Sequence, residues 1–195
     1  MNTNLFDNSA VKNLLKKRLS DEKYMHSLGV ANTAQRLAEI YGEDIEKAKT
    51  AGLLHDITKC LSDEEQIDLF KYYNIDCDPD IFKSRNLWHA VTAAYYVKNE
   101  LKIDDGYILD SIRYHTTGRR GMTLLDKIIY VADLAEPNRK DYEAGDIRTV
   151  ALINLDEAVF YEVKSCIEIN IKRNNYIYKD TFEMYNEYAL KLKEK

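Results

Sequence analysis

Glycine and proline are scarce in this chain, seven and two residues out of 195. Both punctuate sheets and turns, so their scarcity argues against a strand-rich fold and for long uninterrupted helices. Cysteine is sparse too. Cys60, Cys77 and Cys166 are odd in number and lack the paired two-residue spacing of a zinc knuckle or a redox pair, which leaves them as inert thiols. No apolar stretch approaches the roughly 20 residues needed to cross a bilayer, and no charged-then-apolar leader opens the sequence. The expectation is a cytoplasmic protein with no membrane partner. An excess of positive charge is also missing: the net charge of −5 argues against nucleic acid as a ligand.

What is present is an ordinary globular composition, 45% apolar and 31% charged, in a length that suits one domain over residues 1–195. Fifteen tyrosines against five phenylalanines suggest rings with one edge near water or a polar partner. Cations gather locally. Residues 113–140 hold Arg113, Arg119, Arg120, Lys127, Arg139 and Lys140 against Asp126, Asp133 and Glu136, a pointer to an anionic ligand in an acidic chain.

Apolar residues at three- and four-residue spacing predict a helix over about 21–41, with Ser9 or Ser20 as caps for the first helices and Gly42 as a terminator. Asp44 starts the next helix, which runs into His55-Asp56. Ser62-Asp63-Glu64-Glu65 fits a capping box for a helix to about Tyr73, and Asp78-Pro79-Asp80 marks a turn. Further helices are expected at about 87–101, 105–114, 123–134, 155–173 and 180–193. The fold class is therefore an all-α, single-domain helical bundle, with the motifs in 26–139 and the helices of 155–193 completing it.

Only four histidines occur, His26, His55, His89 and His115, each on or at the end of an expected helix. Asp133 lies inside the apolar run Ile128 to Leu134, where an ionised carboxylate is costly unless a cation or several donors meet it; the alternative is an aspartate facing solvent. Together His26, His55-Asp56 and Asp133 offer nitrogen and oxygen ligands from separate helices. That mixture suits iron, manganese or zinc better than calcium.

The order His26, His55-Asp56, Asp133 resembles the H…HD…D signature of the HD superfamily of metal-dependent phosphohydrolases. More narrowly, His26 to Ala31, His55 to Lys59, His115 to Gly118 and Tyr130 to Arg139 are similar to the YqeK-type proteins, symmetrical diadenosine tetraphosphate hydrolases of bacteria, with a weaker echo over Lys172 to Thr181. The resemblance implies an HD-type helical domain and cleavage of diadenosine tetraphosphate to two ADP by a metal-activated water. It implies one or two divalent ions, iron first, with manganese, cobalt, nickel or zinc as alternatives. His26, His55, Asp56 and Asp133 would hold the first ion, and His89 and His115 a second or the phosphates. Lys59, one turn beyond His55 if the helix continues, and Arg139 would bind phosphate, with Thr116 and Asp133 at the nucleotide. Asp56, Lys59, His89, His115 and Arg139 would carry the catalysis. Arg119 and Arg120, between two glycines, would close over the polyphosphate or simply lie exposed, and Tyr176 and Tyr178 could flank a base or pack the last helix. The expected partner is a small nucleotide, with a homodimer as the candidate assembly. Two rivals stay open: another HD activity, on deoxynucleotides or guanosine alarmones, and a non-catalytic module that senses a metal or nucleotide.

Overall fold

The computed structural model describes residues 9–140 and 142–193, so the expected domain over 1–195 extends past them at both ends. Ten α-helices make up the described chain: α1 (Ser9–Arg18), α2 (Asp21–Tyr41), α3 (Ile45–Leu54), α4 (Asp63–Tyr72), α5 (Trp88–Asn99), α6 (Gly106–Tyr114), α7 (Leu124–Ala135), α8 (Tyr142–Ala151), α9 (Leu155–Lys172) and α10 (Lys179–Lys191). There is no strand among the described residues, and the fold is the expected helical bundle. No described helix is long and apolar enough to cross a membrane.

The caps explain the helix boundaries. Ser20 accepts from the Lys23 amide, Asp44 from Lys47, and Ser62 and Glu65 exchange bonds as a full capping box. Thr123 and Asp126 form a second box at the start of α7. Gly42 ends α2 at φ 78°, a left-handed conformation that costs glycine little. Ser9 is the first residue of α1. Two features depart from the sequence expectation. The segment after Asp78 winds into two 3₁₀ turns, Pro79–Lys83 and Arg85–Leu87, and α8 is a helix that apolar periodicity did not reveal.

Helices α2, α3, α6 and α7 pack on one another at the centre. Their shared core includes Val30, Leu37, Leu54, Ile57, Ile112, Ile128 and Ile129, all 2% exposed or less. Helices α2 and α3 meet closely at Gly52, where a Cβ would lie 2.9 Å from the Ala31 Cα. Helix α9 lies against α7, α8 and α10, and a smaller cluster of Phe70, Ile81, Val91 and Tyr178 closes the side near α4 and α5.

Candidate metal centre and nucleotide cleft

All four histidines converge, although α2, the α3 terminus, α5 and the α6 terminus supply one each. His26 is 6% exposed, and His55, His89 and His115 are 3% or less. Asp56 is buried among them, and Asp133 joins from α7 with its side chain 21% exposed.

Asp56 stands at the junction. Its Oδ2 lies 3.9 Å from His26 Nε2 and 3.6 Å from His55 Nε2, while its Oδ1 lies 3.1 Å from His89 Nε2 and 3.6 Å from His115 Nε2. Asp133 Oδ1 closes the first group, 3.0 Å from His26 Nε2 and 3.9 Å from His55 Nε2. In the second group His89 Nε2 and His115 Nε2 are 3.1 Å apart. Metal bonds of about 2.0–2.2 Å place neighbouring ligand atoms roughly 3–3.6 Å apart, so the spacings of 3.0 to 3.6 Å match an ion held between the atoms, and the two of 3.9 Å are slightly wider.

The donor atoms are also left unpaired, as ligation requires. His26 Nε2, His55 Nε2 and Asp56 Oδ1 are buried without a hydrogen-bond partner. In a packed interior such orphans are rare and need an explanation, and a cation meeting them supplies it. The opposite ring nitrogens are occupied: His55 Nδ1 is 2.8 Å from the Gly52 carbonyl, His115 Nδ1 2.7 Å from the Ile112 carbonyl, and His26 Nδ1 3.2 Å from Glu136 Oε1. A proton fixed on Nδ1 leaves the Nε2 lone pair for a metal.

Electrostatics favour the ligating form at His55 and His89. Burial lowers His55 to about 3 and His89 to about 4, so both rings are neutral, the form that ligates. Burial also opposes the charged form of His26, but contacts with Asp133 and Glu136 outweigh it and raise its pKa. Asp56 resists its burial through His55, His115 and His89, and its carboxyl stays well below the ordinary range. Asp133 is likewise held well below that range against its burial, by His26, His55 and Arg139.

The cations come next. Lys59 reaches the cluster, with Nζ 3.2 Å from His89 Nε2, but not along a continued helix: α3 ends at Leu54 and residues 55–60 form successive turns. Gln66 holds that turn by donating to the Thr58 carbonyl at 2.7 Å. Burial lowers the Lys59 pKa, with the charges of Asp56 and Asp133 working the other way. Arg139 donates to Asp133 Oδ1 at 2.9 Å. Thr116 Oγ1 is buried without a partner.

The structure takes Arg119 away from the polyphosphate role. Its guanidinium is bound to Asp126 and Asp110, at 2.8 and 2.9 Å, and stacks over Tyr114, so it ties α6 to α7.

Glu136 and Arg148, to which the sequence assigns no site role, organise the loop after α7. Pro137 forces Glu136 into extended backbone, φ −63°, ψ 149°, which ends the helix. The buried Glu136 carboxylate then takes His26 on one oxygen and the Asn138 amide on the other. Gly29 makes room, since a Cβ there would collide with Glu136 Oε2. Arg148 on α8 donates to the carbonyls of Ala135, Glu136 and Arg139 at 2.8, 2.9 and 2.6 Å, and so fixes the loop that carries Arg139.

Two cavities open beside the cluster. One, about 340 Å³, includes Lys59, Tyr176 and Tyr178 in its lining, and the other, about 380 Å³, includes His115, Asp133, Arg139 and Glu162. They share Asn86, Thr116, Cys166 and Asn170.

Comparison with known proteins agrees with this geometry. The family model described as HD domain matches residues 24–138. The symmetrical bis(5'-nucleosyl)-tetraphosphatase of Bacillus subtilis is 40% identical, over 88% of this chain and 92% of that protein. The protein of that name from Staphylococcus aureus is 35% identical over 91% and 92%. A crystal structure from Clostridium acetobutylicum, described as a predicted HD superfamily hydrolase involved in NAD metabolism, superposes with a TM-score of 0.89 at 35% identity, covering 93% of this chain and 96% of that one. With a buried His-Asp cluster able to hold a divalent metal and relatives matched along nearly their whole length, this chain belongs to the HD domain family and, within it, groups with the symmetrical bis(5'-nucleosyl)-tetraphosphatases.

Proposed function

We propose that this protein hydrolyses diadenosine tetraphosphate at its midpoint, giving two ADP. The observation that carries the reading beyond family membership is the pair of cavities of nearly equal size, about 340 and 380 Å³, that meet at Thr116 beside the cluster. A substrate with two like halves fits a cleft with two lobes, its central phosphates at the junction.

His26, His55, Asp56 and Asp133 are the residues we assign to one divalent ion; Asp56 Oδ1, His89 and His115 are assigned to a second. Iron is the proposed metal, and the same donor set accepts manganese, cobalt, nickel or zinc. When bound, such ions supply Lewis acidity toward phosphoryl oxygens and acidify a water to a pKa of roughly 7. The chain's own groups do the rest. Lys59 and Arg139 bring positive charge to the central phosphates, the guanidinium in a two-pronged geometry. The Thr116 hydroxyl, unpartnered and common to both linings, is the group we assign to donate to a phosphate oxygen. Water adds to one inner phosphorus, the bond from that phosphorus to the central bridging oxygen breaks, and that oxygen leaves on the second ADP. The proposed place of action is the cytoplasm.

The test is product analysis after incubating anaerobically prepared, metal-replete protein with diadenosine tetraphosphate, beside metal-stripped protein. Two ADP per substrate, lost on stripping, is the expected result. ATP plus AMP would overturn the midpoint assignment, and no product would overturn the substrate.

A further inference from the structure

One buried carboxyl near the cleft has no role in the scheme above. Helix α9 buries Leu155, Ala158, Val159 and Val163 at helical spacing, and Glu162 sits in the same stripe, where a leucine would serve packing better. Glu162 is 8% exposed, its Oε2 has no hydrogen-bond partner, and it lines the lobe that also contains Asp133, Arg139 and Arg173. Burial pushes its carboxyl well above the ordinary range, the charge of Asp133 adds to the shift, and Arg139 opposes it. It is not one of the clustered donors: the groups of described residues that could hold a metal comprise His26, His55, Asp56, His89, His115 and Asp133.

A buried, unpartnered polar atom facing a cavity calls for a ligand with a complementary group. A carboxyl oxygen accepts hydrogen bonds in either protonation state and a protonated carboxyl also donates one, so the ligand group that suits it in both states is one that brings a donor as well as an acceptor. Ionised phosphates bring none, and in this lobe Arg139 and Arg173 already suit them. Moving outward from the phosphates, the first donors on a nucleotide are the two ribose hydroxyls, and an acidic side chain is a recurrent receiver of them.

We infer that Glu162 receives the ribose hydroxyls of the nucleotide half lying in the Asp133 lobe, and so selects ribonucleotides over deoxynucleotides. This rests on the nucleotide reading proposed above. The same contact explains why the apolar stripe of α9 is interrupted at that position.

The test is calorimetric binding of ADP, 2′,3′-dideoxy-ADP and inosine diphosphate to the metal-loaded full chain and to Glu162→Met and Glu162→Gln. Wild type is expected to bind the dideoxy compound about tenfold or more weakly than ADP, since the compound leaves a buried acceptor unpaired. In Glu162→Met that ratio should collapse to near one, with a thermal midpoint equal to or above wild type because an unpartnered buried carboxyl has been replaced by an apolar group of similar shape. Glu162→Gln, which keeps an acceptor, should retain part of the discrimination. Three outcomes overturn the assignment: a wild type indifferent to the hydroxyls, a ratio that survives in Glu162→Met, or a Glu162 effect that follows the exchange of adenine for hypoxanthine. Failure of wild type to bind ADP at all would overturn the hydrolase reading with it, whereas binding without discrimination overturns the assignment alone.

Discussion

The two ends of this bundle build the site in different ways. From α2 to α7 the chain supplies the six donor side chains, two of them held by local anchors, the Gly52 carbonyl for His55 and the Ile112 carbonyl for His115. From α8 to α10 the chain supplies none of these donors. It contributes Arg148, which braces the loop after α7, and Glu162, Tyr176 and Tyr178, which line the cleft from residues distant in sequence from the donors. Chemistry is concentrated in the first region, and the shape and alignment of the cleft depend on the second.

Substitutions should separate the two roles. The largest expected effect is in the first region: His55→Ala removes a donor to the proposed first ion and should abolish diadenosine tetraphosphate turnover, measured by ADP release. Retained turnover would detach the cluster from the activity. Glu136→Gln keeps the packing but weakens the hold on His26 Nδ1, and a loss of about 10- to 100-fold in metal affinity or activity is expected, as for other outer partners of metal ligands. Metal titration followed by activity reads this directly, and an unchanged affinity would show that the Glu136 contact does not orient His26.

The second region should respond differently. Arg148→Ala takes a donor from three carbonyls, of which that of Glu136 keeps the Arg139 amide, so a stability loss of about 2–4 kcal/mol is expected by chemical denaturation. KM for the tetraphosphate should rise because the loop bearing Arg139 is released, while metal affinity changes less than in Glu136→Gln. The reverse pattern would break the division drawn here. The smallest effect belongs to Asp156 on α9, which pairs with Lys127 at 2.9 Å and Lys191 at 2.7 Å. Burial works against its charge, but the two lysines lower its pKa. A carboxyl depressed in the folded state stabilises above its unfolded pKa, and that stability is lost as pH falls through the folded value. Asp156→Asn should therefore cost up to about 1 kcal/mol at neutral pH, a cost that vanishes in acid. A cost that persists there would mean packing rather than charge.

Much of the first region could be read from the residues alone. Ser20, Asp44, Ser62, Asp105 and Thr123 mark helix starts by local hydrogen bonds, which require no knowledge of distant contacts. The pattern of His26, His55-Asp56 and Asp133 pointed to mixed nitrogen and oxygen ligands, and the structure brings these atoms together. What was illegible is equally specific. Helix α8 has a weak apolar pattern, and the function of Arg148 there depends on the carbonyls of Ala135, Glu136 and Arg139 at the end of α7 and in the loop after it. The capture of His26 by Glu136 spans 110 residues and needs both the stop at Pro137 and the missing side chain of Gly29. Lys59 arrives by the turns of residues 55–60 and not on a continued helix, and the Gln66 side chain that holds those turns, by donating to the Thr58 carbonyl, comes from the following helix.

The sequence by itself determined the helical class, most helix boundaries and the residue types of the site, because capping and amphipathic spacing act over three or four residues and donor chemistry is intrinsic to a side chain. Only the tertiary structure decided that the two oxygens of Asp56 face two separate histidine pairs, and that α9 seals one lobe with a carboxyl left without a partner. Such features depend on which helix faces meet, and that is set by the packing of the whole core.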